Sequence, residues 1–189
     1  MPSGPGVVAD ELIAEIAAAV PPGVATFLLT SETEAGAIVD QQRRSGVNTL
    51  QLVDRVADGT HQALRKALPG IGLVQVIHVT DEASVDEAAE IAPHVDAILL
   101  DSGNPTLPVK ELGGTGRVHD WRLSRKIRER IERPIFLAGG LRPENVGEAI
   151  RQVGPYGLDI CSGVRTEGKL DAAKLADFFR EIARATATE

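Results

Sequence analysis

Short apolar runs alternate with helical patterns from one end of the chain to the other, and this alternation constrains the fold more than any other feature. The runs begin near Val24, Thr49, Leu73, Asp96, Ile135 and Gly157. Strands that alternate with helices are typical of βα units, whose strands lie parallel in a sheet. The pattern therefore predicts an α/β fold in which residues 1–189 form one domain.

Chain length and turn sequences bear on which α/β fold this is. A (β/α)8 barrel usually needs about 250 residues, although about 200 can suffice, and this chain has 189. The competing fold is an open, doubly wound sheet, but the first strand-to-helix turn lacks the G-x-G-x-x-G fingerprint. We therefore expect a (β/α)8 TIM-barrel type fold, shortened at its N-terminus to about six βα units.

Composition and charge narrow the range of partners. The formal net charge of −7 argues against nucleic acid, but a local site can still bind a small anion. No apolar run approaches membrane-spanning length, and Met1–Gly6 lacks the features of a signal peptide. Cys161 is the one cysteine, so no intramolecular disulfide can form. We expect a cytoplasmic protein with no metal site and neither nucleic acid nor membrane as a partner.

Two successive apolar runs end in small, glycine-containing turns. The run from Ile135 ends at Gly139-Gly140, and the run from Gly157 ends at Ser162-Gly163. Glycines at such places let backbone N–H groups approach a ligand, and many (β/α)8 barrels bind phosphate after their last two strands. The alternative is a pair of tight turns without a ligand, which would be favoured for Gly139-Gly140 alone.

An aspartate and a glycine-rich loop follow the fourth run. Asp101 comes directly after Ala97–Leu100, and a carboxylate at the mouth of a barrel strand suits acid–base work. The loop downstream contains Gly114 and Gly116, whose amides are able to surround a phosphate. A helix-capping aspartate and a plain surface loop are the corresponding structural interpretations.

Four motifs together resemble the phosphoribosylanthranilate isomerase family, enzymes of tryptophan biosynthesis with a (β/α)8 barrel. They are Leu99–Ser102, Gly113–Gly116 with His119–Trp121, Leu137–Leu141 with Pro143–Val146, and Asp159–Val164. Their order and spacing match the family, and a looser helical match extends back to about Val7. The resemblance implies conversion of N-(5-phosphoribosyl)anthranilate to 1-(2-carboxyphenylamino)-1-deoxyribulose 5-phosphate, an Amadori rearrangement that needs no cofactor.

The resemblance also implies roles for individual residues. Asp101 would be the general acid that protonates the furanose ring oxygen. Asp159 would either orient the substrate or serve a structural role. The residues expected around the phosphate are Gly114, Gly116, Gly139, Gly140, Ser162 and Gly163.

The chain departs from the family where the general base should stand. The family places that base, a cysteine, in a Lys-Ile-Cys-Gly motif on its first strand, and no such motif occurs here. The arginine that binds the anthranilate carboxylate is also missing from the region Ser3–Val8. Cys161 belongs to the last-strand motif and is interpreted as a small core residue. Asp54 and His78 are candidate substitute bases, although capping or surface roles are favoured for both.

These departures leave a second function open and carry an expectation about assembly. The alternative is a non-catalytic or repurposed relative that binds a sugar phosphate and regulates or assembles with another protein.

Six parallel strands cannot close in the usual eight-stranded way, so a strand edge needs cover. Homodimerisation and a rearranged N-terminal helix are two ways to supply that cover.

Overall fold

The computed structural model describes residues 7–103 and 118–187, which fall into two compact units. The first unit is Met1–Val76 with His94–Asp96, and the second is Ile77–Pro93 with Ala97–Glu189. The helices are α1 Asp10–Ala19, α2 Ala35–Ser45, α3 Thr60–Ala67, α4 Ala83–Ile91, α5 Trp121–Arg130, α6 Val146–Val153 and α7 Ala172–Thr186. The strands are β1 Phe27–Thr30, β2 Thr49–Leu52, β3 Gly72–His78, β4 Ala97–Asp101, β5 Ile135–Leu137, β6 Gly157–Leu158, β7 Arg165–Thr166 and β8 Lys169–Leu170.

In the first unit, β1 and β2 and then β2 and β3 pair in parallel. Every residue of β2 is buried, as expected for a parallel strand that is covered on both faces. Ile38 and Val39 form the buried face of α2. That helix ends at Gly46, whose left-handed backbone directs its N–H to the carbonyl of Gln42.

The N-terminal elements of this unit leave apolar side chains in water. Helix α1 buries none of its residues, and Leu12 and Ile16 are 48% and 52% exposed. On β1, Leu29 is also 48% exposed. Asp10 does not cap α1, because Ala9 is the N-cap residue and the Asp10 carboxylate instead accepts a bond from Arg44 Nε at 2.7 Å.

In the second unit, β4 and β5 and then β5 and β6 pair in parallel. All of β4 is buried, and α6 presents a buried face of Val146, Ala149 and Val153, each with no exposed surface. Burying each valine contributes about 1.5–3 kcal/mol, so this face fixes α6 firmly. Helix α5 begins where Asp120 accepts a bond from the N–H of Arg122 at 2.9 Å.

The segment after β6 differs from the expected strand. It continues into a 3-10 turn, Ser162–Val164, and then into the hairpin of β7 and β8, which sequence patterns did not predict. The two residues that connect this hairpin, Glu167 and Gly168, have φ values of 50° and 76°. Positive φ at both positions is the geometry that two-residue hairpin turns prefer.

Helix α7 has a narrower buried face than its apolar residues suggested. Phe178 is 2% exposed, whereas Phe179 is 62% exposed. Consecutive helical residues point about 100° apart, so the two rings cannot face the core together. Of these two rings, only Phe178 therefore belongs to the buried face of α7.

The alternation of strands with helices is confirmed, and each of the six predicted runs contains a strand that pairs in parallel within its unit. That residues 1–189 form a single domain stays a prediction. In the ranges given above, no helix has both the length and the apolar character needed to span a membrane.

Candidate active site

Asp101 is the last residue of β4 and is 7% exposed. Its Oδ1 accepts a hydrogen bond from the N–H of Ser102 at 2.7 Å, and its carbonyl accepts one from the N–H of Val79 at 2.9 Å. The backbone on both sides of this carboxylate is therefore fixed. A carboxylate fixed at the carboxyl end of a barrel strand has the position expected for the predicted general acid.

Asp101, Ala138 and Asp159 form one row across the ends of β4, β5 and β6. The N–H of Ala138 bonds to the carbonyl of Leu100, and the N–H of Asp159 bonds to that of Leu137, both at 2.8 Å. These bonds continue the parallel register by one residue past the strands. Residues in register on parallel strands point to the same face of a sheet. The two carboxylates therefore flank the small methyl group of Ala138.

The proximity of the two carboxylates affects proton binding. Partial removal from water raises the pKa of Asp159 above its usual value, and the negative charge of Asp101 raises it further. The Asp159 side chain remains open to water on one side. Asp159 therefore keeps its proton up to a higher pH than an isolated aspartate does.

The turn after β5 consists of two left-handed glycines. Gly139 has a φ of 84° and Gly140 a φ of 62°, which other residues rarely adopt. Within the described part of the chain, the N–H groups of Gly139, Gly140 and Leu141 donate to no protein acceptor. Successive unpaired N–H groups of this kind form a concave site for an anion.

The turn after β6 lies directly against the first turn. A Cβ added to Gly163 would stand 1.9 Å from the carbonyl oxygen of Leu141 and 3.1 Å from Arg142 Cα. Ser162 and Gly163 open a 3-10 turn, and the first N–H groups of a helical turn have no partner within it. The two glycine turns predicted from sequence are thus brought together.

The remaining predicted residues are placed as follows. Gly114 and Gly116 lie outside the described residues. Cys161 is exposed, so its interpretation as a small core residue is wrong; it lies beyond β6, at the start of the 3-10 turn. Asp54 follows β2 in the first unit, and its carbonyl accepts a bond from Gln75. His78 ends β3, is 9% exposed, and accepts a bond from Ser84 Oγ through its carbonyl.

His119, which belongs to the motif before α5, has a structural role. Burial lowers the pKa of His119 to about 4, so its ring is neutral at pH 7. Its Nε2 lies 2.7 Å from Ser124 Oγ, and Ser124 has no exposed surface. A neutral ring that shares a proton with a buried hydroxyl helps to fix the start of α5.

Asn145 is a site residue that sequence reasoning did not single out. Its side chain contacts the turn after β5 through Gly140 and Arg142. An asparagine just before an apolar helical pattern is the available signal, but that signal predicts a helix cap and not a contact to the preceding turn.

The fold and the row of site residues define the class of protein: a (β/α)8-barrel type with polar groups at the carboxyl ends of its strands. Residues 2–181 match the model of the N-(5'phosphoribosyl)anthranilate (PRA) isomerase family. The chain is 40% identical over 164 residues to N-(5'-phosphoribosyl)anthranilate isomerase of Haloferax volcanii, covering 87% of this chain and 70% of the relative. It is 38% identical over 159 residues to isomerase 2 of Methanosarcina mazei, covering 84% and 70%.

Comparison with solved structures indicates the same family. The phosphoribosyl anthranilate isomerase of Thermotoga maritima superimposes with a TM-score of 0.74 at 29% identity, over 94% of this chain and 82% of that one. The chain therefore belongs to the phosphoribosylanthranilate isomerase family. The TIM-barrel fold class and the isomerase function in tryptophan biosynthesis, both predicted from sequence, are confirmed.

Proposed function

We propose that this chain carries the general acid and the phosphate site with which N-(5-phosphoribosyl)anthranilate is isomerised to 1-(2-carboxyphenylamino)-1-deoxyribulose 5-phosphate. The observation that supports this most is the row of Asp101, Ala138 and Asp159 beside the glycine turn of β5. A substrate bound through its phosphate at that turn has its sugar ring near the carboxylates. Geometry of this kind contributes to catalysis by fixing the reacting atoms.

Asp101 is assigned the acid step. It donates its proton to the furanose ring oxygen, and the ring opens to a Schiff base. A general base then takes the C2 proton to give an enolamine that tautomerises to the ketone; in the family this base is the cysteine of Lys-Ile-Cys-Gly, a motif that does not occur in this sequence. Asp159 supports this step, because its raised pKa makes it less readily ionised beside Asp101 than an ordinary aspartate would be. Less negative charge at this position eases the approach of an anionic substrate.

The phosphate is assigned to backbone amides. Gly139, Gly140, Ser162 and Gly163 present N–H groups where the two turns meet, and such groups bind anions without a charged side chain. Gly114 and Gly116 keep the phosphate role that the family resemblance implies. The substrate is accordingly a small phosphorylated sugar, and we place the reaction in the cytoplasm.

Gly140→Leu is expected to weaken binding of the phosphorylated ligand at least tenfold. Leucine in a left-handed conformation costs about 1–2 kcal/mol, and relief of that strain turns the amides away from the ligand. Gly154→Leu is the matched control, since Gly154 has a φ of 64° at the end of α6. The measurement is titration calorimetry with reduced 1-(o-carboxyphenylamino)-1-deoxyribulose 5-phosphate, the ligand in a solved relative. Equal affinity in both variants would remove the amide assignment.

The exposed edge of the first unit supports a second part of the proposal, homodimerisation. Leu12 and Ile16 on α1 and Leu29 on β1 are about half exposed, and apolar surface at a strand edge favours association. The isomerase of Thermotoga maritima is described as dimeric. We assign the cover of this edge to a second copy of the chain.

Ile16→Lys is expected to convert the dimer to a monomer, because a charged group cannot be buried in an apolar contact without a partner. Glu15→Lys is the matched control on the same helix. Light scattering over a range of concentrations checks the outcome. A wild-type chain that remains monomeric throughout would contradict the assignment.

A further inference from the structure

The carboxamide of Asn145 bonds backward to the turn after β5. Its Nδ2 donates to the carbonyl of Gly140 at 3.0 Å, and its Oδ1 accepts from the N–H of Arg142 at 2.9 Å. Asn145 is the N-cap residue of α6, yet its side chain makes no capping bond to that helix. Both hydrogen-bonding ends of the amide are instead used to hold the turn.

The bond to Gly140 orients the next peptide group. In a trans peptide the carbonyl and the following N–H point in opposite directions. When the Gly140 carbonyl points at Asn145, the N–H of Leu141 points away from it. That N–H has no protein acceptor among residues 7–103 and 118–187.

The next peptide group, between Leu141 and Arg142, lies at the junction of the two turns. The backbone of Gly163 packs against the carbonyl of Leu141, and the Leu141 side chain is 3% exposed. Arg142 is not available as a further backbone donor, because Asn145 accepts its N–H. Leu141 therefore presents the last free N–H of the β5 turn.

Asn145 itself is held firmly. Its N–H and that of Val146 both donate to the carbonyl of Arg142, at 3.1 and 3.0 Å. Val146 has no exposed surface, so the start of α6 is fixed in the core. A rigid helix end thus sets the position of the carboxamide.

We propose that Asn145 is a positioning residue for phosphate, which holds the Gly140–Leu141 peptide so that the N–H of Leu141 donates to the ligand. The assignment rests on the proposed function of the glycine turns and adds to it a donor and the side chain that orients this donor. We assign Asn145 no contact with the phosphate, because its Oδ1 and one N–H of its Nδ2 are used to hold the turn.

The test compares Asn145→Ala with wild type by titration calorimetry, using the reduced carboxyphenylamino-deoxyribulose 5-phosphate and the same compound without its phosphate. We expect about tenfold weaker binding of the phosphorylated form, the effect of losing one hydrogen bond to a charged group. Binding of the phosphate-free compound should not change. Gln152→Ala, which removes an exposed amide from the same helix, should leave both affinities unchanged.

The outcomes separate the inference from the function on which it rests. If wild type fails to bind the phosphorylated compound, both are overturned. If wild type binds and Asn145→Ala binds equally well, or loses both compounds alike, only the role of Asn145 is overturned. If Asn145→Ala does not fold, the Leu141 amide resonance of wild type decides: inorganic phosphate should shift it more than it shifts Arg142, and equal shifts would overturn the proposal.

Discussion

Asp101→Asn is expected to lower kcat/KM by about 10²–10⁴-fold, the contribution of a positioned general acid. Asparagine preserves the shape of the side chain and can still accept the 2.7 Å bond from Ser102, so the fold should persist. What is lost is the proton that the ring oxygen must receive. Asp177→Asn is the control, because Asp177 is half exposed on α7 and pairs with Arg180.

This comparison is made in a version of the chain that carries the family's first two βα units with Lys-Ile-Cys-Gly. The 189-residue chain alone should turn over about 10²–10⁴-fold more slowly than that version, because it lacks the cysteine base and the carboxylate-binding arginine. Loss of anthranilate fluorescence follows the reaction. Rapid turnover by the chain alone would contradict this expectation, and substitution of Asp54 and His78 would then be the next experiment.

Gly163→Ala is expected to destabilise the fold by about 1–3 kcal/mol and to abolish measurable binding of the phosphorylated ligand. The added methyl would stand 1.9 Å from the Leu141 carbonyl oxygen, so the two turns have to separate. Backbone atoms are in the way, and no side-chain rotation relieves the contact.

Gly36→Ala provides the comparison for Gly163→Ala. Gly36 lies in α2, and its added Cβ would meet nothing within 4 Å. This change should be neutral or stabilise the chain by up to about 1 kcal/mol, since alanine is the better helix former. Urea unfolding measures both variants. A Gly163→Ala chain with wild-type stability and affinity would show that the turns do not depend on their contact.

Sequence patterns predicted the features that depend on local chemistry. Apolar runs located the strands, and Gly139-Gly140 and Asp101 fell at the strand ends where a barrel places its site. The buried face of a helix depends on its neighbours, so an apolar residue such as Phe179 need not lie on that face.

What could not be predicted depends on contacts between distant parts of the chain. That Gly163 packs on Leu141 follows from parallel strands of particular lengths, and no local pattern encodes it. The hydrogen bonds from the Asn145 side chain to the turn after β5 could not be predicted, because an asparagine at this position usually caps the helix that follows. The hairpin after β6 depends on two positive φ values in its turn, of which only the one at Gly168 has a clear sequence signal.

In the proposed site, the main chain of the two turns binds the phosphate and the Asn145 side chain holds one of those turns in place. This arrangement has an evolutionary consequence. If main-chain amides bind the phosphate, the identity of the exposed Ser162 side chain matters little provided that the path of the backbone is kept, whereas the buried Leu141 must remain apolar. Mutations elsewhere at the strand ends can then change the reaction performed on the sugar, while the same amides continue to bind its phosphate. Proteins with this arrangement can change their substrate without changing the residues that bind the phosphate.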